Sequence, residues 1–149
     1  MPSADRRAEA TWEGDLPSGK GTLDLVSSNA ASSLDVTWAS RVETPDGRTS
    51  PEELLAAAHA SCYAMAFSNV LAKGGTPAER LHVTAVVSLG PKEGGGIRVT
   101  ESKLTVRGRV PGMDGAAFQE AAETGEQGCP ISNAIRGNVA ITVEATLEG

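Results

Sequence analysis

Aromatic side chains are scarce in this sequence: Trp, Tyr and Phe together supply 3% of 149 residues. The core must then rest on Ala, Val, Leu and Ile, which bury little area each at roughly 25 cal/mol per Å². A core built this way is shallow, and a second subunit would help to cover it. Clustered basic charge is lacking too. With 13 Lys and Arg against 19 Asp and Glu the net charge is −6, which argues against a nucleic-acid partner or an anionic membrane surface, because counterion release needs grouped cations. No apolar stretch follows the polar opening Met1-Pro2-Ser3-Ala4-Asp5-Arg6-Arg7, so no secretory leader is expected and a cytoplasmic chain is the default. Metal-ligand spacing is also absent. There is no Cys-x-x-Cys or His-x-x-x-His, and His59 and His82 are not paired at ligand spacing, so neither metal nor cofactor is expected. Cysteine is limited to Cys62 and Cys129. In a reducing compartment such residues are commonly inert small hydrophobes, with a redox pair or a single nucleophile as the alternatives.

What is present is ordinary globular material: 40% hydrophobic residues and 17 glycines, enough for one domain spanning residues 1–149. Arg7–Trp12 and Thr22–Val26 read as a hairpin around Gly14-Asp15-Leu16-Pro17-Ser18-Gly19. Leu34–Trp38 alternates as a half-buried strand. Ser50-Pro51-Glu52-Glu53 is a helix start, with Ser50 as cap, Pro51 at the first helical position and Glu53 closing a capping box. From Leu54 to Ala72 no charged residue occurs. That length meets the test for a membrane span, but His59, Ser61, Ser68, Asn69 and many alanines argue for a buried central helix instead. A helix apolar on every side again calls for a partner subunit. Lys73-Gly74-Gly75 ends it.

Leu81–Leu89 alternates with His82 outward, and Ile97–Val110 forms a second long run. The apolar parity of that run switches between Val99 and Leu104, which predicts a bulge near Glu101–Lys103. Asp114 caps a helix over Gly115–Glu126, with Ala117, Phe118, Ala121 and Ala122 as its apolar stripe. Gly128-Cys129-Pro130 opens a short helix, and Val139–Leu147 closes the chain as a strand. The order is that of an α+β domain with mainly antiparallel strands. Trp12 and Trp38 read most simply as core or interface fillers, and His59 as a satisfied helix histidine.

A thiol among alanines has a raised pKa and is inert. For Cys62 to react it needs a cation, and Arg41 and Arg48 just before the helix are the candidates. Cys129, followed by Pro130, sits where a helix start favours a thiolate.

Thr49-Ser50-Pro51-Glu52-Glu53-Leu54-Leu55-Ala56-Ala57-Ala58-His59-Ala60-Ser61-Cys62, with Gly128-Cys129-Pro130-Ile131-Ser132-Asn133-Ala134 far downstream, resembles the OsmC/Ohr peroxidases. The run Ala10-Thr11-Trp12-Glu13-Gly14-Asp15-Leu16, followed by Gly19-Lys20-Gly21, is similar to the OsmC branch rather than the Ohr branch. The resemblance implies an intertwined homodimer with a sheet packed on a long central helix. It also implies thiol-dependent reduction of organic hydroperoxides at the subunit interface. Cys62 would be the peroxidatic cysteine, Cys129 the resolving one, Glu52 the catalytic glutamate and Arg41 the catalytic arginine, with Arg48 close by as the other candidate. The implied reductant is a dithiol such as a lipoylated protein. Met65, Phe67, Leu55 and Tyr63 would give Cys62 an apolar pocket. Ten residues of helix separate Glu52 from Cys62 by about 15 Å, so a partner chain is expected to bring Arg41 and Glu52 to each Cys62. A noncatalytic dimeric binding protein on the same fold is the alternative, and it would keep the two thiols apart.

Overall fold

The computed structural model describes residues 3–148; Met1 and Pro2 of the polar opening, and Gly149, lie outside the described residues. The chain divides after Leu54 into two compact units.

In the first unit, β1 (Ala8–Glu13), β2 (Lys20–Leu25) and β3 (Leu34–Val36) form an antiparallel sheet in that order. The hairpin turn is held by Asp15, whose Oδ1 accepts from Ser18 N at 2.9 Å while its carbonyl accepts from Gly19 N at 2.8 Å. Only glycine fits at position 19, because a Cβ there would stand 2.3 Å from the Asp15 oxygen. The strand expected over Leu34–Trp38 stops at Val36, and Trp38–Val42 forms a helix, α1. Thr37 causes the change. Its Oγ1 accepts from Ser40 N at 3.0 Å and Ser40 Oγ accepts from Thr37 N at 2.9 Å, a reciprocal cap that starts the helix.

The long helix α2 (Pro51–Lys73) begins as expected, with Ser50 Oγ accepting from Glu53 N at 3.1 Å. Glu53 does not reach back to close a box. Its carboxylate instead accepts from Thr49 Oγ1 at 2.7 Å. By length and composition α2 passes the test for a membrane span, and a stripe of core contacts accounts for part of that apolarity. His59, Tyr63, Phe67 and Leu71 recur every fourth residue and are fully or almost fully buried. Apart from Glu52, the other positions of the helix are half-buried or exposed. Met65 is 69% exposed, so a single chain buries the helix along one stripe and leaves its other faces for the partner subunit that the sequence calls for.

In the second unit, β4 (Arg80–Pro91) pairs antiparallel with β5 (Ile97–Arg109), and β5 pairs parallel with β6 (Ala140–Leu147). The parallel step follows from the crossover between them, which carries α3 (Gly115–Gln127) and α4 (Pro130–Ile135). The predicted bulge exists but lies one residue early. Ser88 faces Glu101 and Leu89 faces Val99, leaving Thr100 as the extra residue. Beyond it Ser102, Leu104 and Val106 share the buried face, and His82 points outward as expected.

Three of the few aromatic residues make the centre of this core. The ring of Phe67 lies 5.7 Å from Tyr63 and 5.1 Å from Phe118, and Leu104, Val106 and Ala122 complete the cluster. Close approach depends on two glycines. A Cβ on Gly108 would meet the Phe118 ring at 2.6 Å, and one on Gly125 would meet Phe67 Cα at 3.0 Å. Ala117, assigned to the apolar stripe of α3, is exposed, and Gly125 and Glu126 take the buried positions one turn on from Ala122 and two turns on from Phe118.

Candidate active site

The second unit brings the two cysteines together. Cys62 lies on α2, one turn after His59, and is half-buried; Cys129 is fully buried at the start of α4. The local sequence explains the second placement. Pro130 supplies a first helical residue with no N–H to satisfy, and Cys129 caps the turn, its Sγ accepting from Ser132 N at 3.5 Å. Both cysteines are free thiols. They are neighbours, close enough for Cys129 to disfavour the Cys62 anion.

Burial pushes the Cys62 thiol above its ordinary value, and Cys129 adds to the shift, while the backbone N–H of Ile131 opposes it. A thiol in this state is a weak nucleophile until a cation stabilises its anion. Tyr63 and Phe67, expected to line a pocket for Cys62, belong to the core instead, and Tyr63 Oη donates to the Ala122 carbonyl at 2.8 Å.

The first unit brings together the other two predicted residues. Arg41 on α1 grips Glu52 in the first turn of α2 by a two-pronged pair, Nε to Oε1 and Nη2 to Oε2, each 2.9 Å. The hydrogen bond to Glu52 makes the guanidinium still harder to deprotonate. Arg48 turns elsewhere, to Asp46 at 3.5 Å. Of the two arginine candidates, Arg41 is therefore the one paired with Glu52. Of the two roles expected for Trp12 and Trp38, core or interface filler, neither side chain fills the core of this chain: Trp12 is exposed and Trp38 half-buried. Together with Leu16 and Arg41 they line a cavity of about 220 Å³ in this unit.

Sequence motifs did not reveal a buried polar cluster beside the thiols. His59 Nδ1 lies 2.6 Å from Ser102 Oγ, and Nε2 lies 2.7 Å from Ser132 Oγ. Glu126 is buried nearby and pairs with Arg136 at 2.8 Å. The available signal was parity. Ser102 shares a strand face with Leu104 and Val106, and a polar residue among core positions implies a buried partner. His59 is thus a satisfied helix histidine, as read. Among the described residues no cluster of three or more His, Cys, Asp or Glu could hold a metal.

Burial is the main reason that His59 stays below its ordinary value of 6.5, with Glu126 raising it and Arg136 lowering it. The sign of the consequence is fixed. The unfolded chain gains a proton on this imidazole as pH falls below 6.5, while the folded chain resists, so stability declines until the folded group itself titrates. Urea unfolding compared at about pH 7.5 and about pH 5.5 is expected to show the lower midpoint at the acid value. An unchanged midpoint would contradict a neutral buried imidazole.

A sheet-and-helix unit that sets one thiol of a long helix against another at the mouth of a short one defines an α+β dithiol protein. The chain belongs to the OsmC-like protein family, whose pattern it matches over residues 44–144. It is 34% identical to the peroxiredoxin OsmC of Escherichia coli over 136 residues, covering 91% of this chain and 93% of that protein. An organic hydroperoxide resistance protein of Xanthomonas axonopodis is 38% identical over 97 residues, 64% of this chain and 65% of that one. The longer match places the chain with the OsmC branch. The crystal structure of an organic hydroperoxide resistance protein from Elizabethkingia anophelis superposes with a TM-score of 0.75 at 25% identity, covering 99% of this chain and all of that one. The expected α+β fold, with antiparallel strands and a long central helix, is borne out.

Proposed function

We propose that this protein is a cysteine-based peroxidase of the cytoplasm that reduces organic hydroperoxides, and hydrogen peroxide less efficiently, in oxidative or osmotic stress defence. The observation that carries the reading is the adjacency of the two free thiols, Cys62 and Cys129. A noncatalytic binding protein would have no use for that adjacency. The family's peroxiredoxin and hydroperoxide-resistance members support the same reading.

In this reading the Cys62 thiolate attacks the distal peroxide oxygen. The O–O bond breaks, an S–O bond forms, and the leaving alkoxide takes a proton to become the alcohol. Cys129 then displaces the hydroxyl of the Cys62 sulfenic acid as water and forms the disulfide. An external dithiol, such as a lipoylated protein, restores both thiols by exchange.

Arg41 supplies the missing cation, always charged and held in orientation by the Glu52 fork. Glu52 and Cys62 lie on one continuous helix with about 15 Å of rise between them. We therefore assign each Cys62 the Arg41–Glu52 pair of a partner subunit in a homodimer. The exposed side of α2 gives that subunit an apolar surface to cover. The cavity beside Arg41, with Trp12, Leu16 and Trp38, suits the carbon tail of an organic hydroperoxide.

The test is peroxide consumption by the reduced protein with dihydrolipoamide or dithiothreitol as reductant. Steady consumption is expected, faster with cumene hydroperoxide than with hydrogen peroxide. No consumption with either dithiol would remove the peroxidase reading.

A further inference from the structure

The imidazole of His59 is fully buried, and neither nitrogen is spare. Nδ1 bonds Ser102 Oγ of β5 at 2.6 Å and Nε2 bonds Ser132 Oγ of α4 at 2.7 Å, and both serines are themselves fully buried. A neutral imidazole has one N–H and one lone pair to offer, so one hydroxyl accepts from the ring and the other donates to it. The ring is thereby locked, and the reaction described above makes no use of it.

Its position gives it a use. His59 stands one helical turn before Cys62, and Ser132 stands one turn after Cys129. The His59–Ser132 bond thus ties the helix carrying one thiol to the helix carrying the other. The first turn of α4 also addresses both sulfurs through its backbone, Ile131 N–H toward Cys62 and Ser132 N–H toward Cys129. At six residues α4 is too short to hold its place by its own ladder of hydrogen bonds. A lateral tie must do so.

We propose that His59 and Ser132 are positioning residues for disulfide formation, fixing the first turn of α4 against α2 so that Cys129 Sγ stays in reach of oxidised Cys62. The proposal rests on the peroxidase reading. In the step concerned an S–S bond forms and the S–O bond of Cys62 sulfenic acid breaks. The Cys129 proton leaves with the hydroxyl as water, and no further reductant is consumed. The competing fate is a second encounter with peroxide, which carries the sulfenic acid to sulfinic acid. A well-placed Cys129 wins that competition, whereas a displaced one loses it.

The experiment treats reduced wild type, Ser132→Ala, Ser132→Thr and Ser102→Ala with excess cumene hydroperoxide. Mass spectrometry then gives the ratio of Cys62–Cys129 disulfide to Cys62 sulfinic acid, and loss of the Cys62 thiol is timed separately. Ser132→Ala is expected to lower the ratio about five- to tenfold, the worth of one buried hydrogen bond. Ser132→Thr keeps the hydroxyl and should hold the wild-type ratio. Ser102→Ala leaves the tie to α4 and should lower the ratio far less. Equal losses in the two alanine variants would mean a merely structural role and overturn the proposal, as would a wild-type ratio in Ser132→Ala. If Ser132→Ala does not fold, His59→Gln carries the test, because its amide cannot span both serines; a wild-type ratio there is equally fatal. A wild-type Cys62 that stays a free thiol under peroxide is a different failure, that of the peroxidase reading itself.

Discussion

Cys62→Ser is expected to lose peroxide consumption down to the background of buffer and reductant, a fall of about 10³-fold or more in initial rate. A serine hydroxyl at this place has no route to becoming a useful nucleophile. Even the native thiol is pushed up by burial and by Cys129, and an alcohol starts far less acidic. Cys129→Ser should behave differently. Its Cys62 remains, so the first equivalent of peroxide is consumed, but the sulfenic acid has no internal partner. Turnover then stalls, and Cys62 accumulates as sulfinic acid under excess peroxide. Rapid-mixing measurement of peroxide loss, followed by mass spectrometry of the Cys62 peptide, separates the two variants. Equal, complete loss in both at the first equivalent would mean that Cys129 does more than resolve. Full turnover by Cys62→Ser would end the assignment of Cys62 as the reacting thiol.

The contrast between these variants depends on features that the sequence disclosed unevenly. The hairpin, the long helix, the alternation of the β6 strand and the cap of α3 by Asp114 are local matters of spacing and turn chemistry, and they stand as read. The α1 helix escaped because Leu34, Val36 and Trp38 keep strand parity, and five residues are too few to show a helical period. Its cap uses Ser40 where a box usually carries Glu or Gln. The bulge was visible as a change of parity, but parity fixes only an interval, and the pairing partner Ser88 decides that Thr100 is the extra residue. The parallel pairing of β5 with β6 depends on where the α3–α4 crossover returns, which no local pattern contains. For the site, the cysteines and the Arg41–Glu52 pair carry motif signatures. His59, Ser102 and Ser132 meet from three separate elements, and their bond is created only by the tertiary fold.

Arg41→Gln should cripple the homogeneous protein yet be rescued by subunits that are themselves inactive. If each Cys62 is served by the Arg41 of a partner subunit, a dimer of one Arg41→Gln chain and one Cys62→Ser chain holds one whole site. In it the intact Cys62 of the first chain faces the intact Arg41 of the second. Random reassociation of equal amounts makes half of the dimers mixed, so about a quarter of the wild-type activity should return. If Arg41 serves the Cys62 of its own chain, no mixed dimer holds a whole site and nothing returns. The pH dependence gives a second reading of the same charge. Without the guanidinium, Cys62 keeps the raised value set by burial and by Cys129, so its thiolate is a small fraction at neutral pH. The residual rate of Arg41→Gln should then climb about tenfold per pH unit through the neutral range, because only the thiolate attacks. The wild type should level off at lower pH, since the cation lowers the thiol value. Coincident pH profiles for wild type and Arg41→Gln would mean that Arg41 does not act on the Cys62 anion, and recovery without a change of profile would confine it to holding substrate.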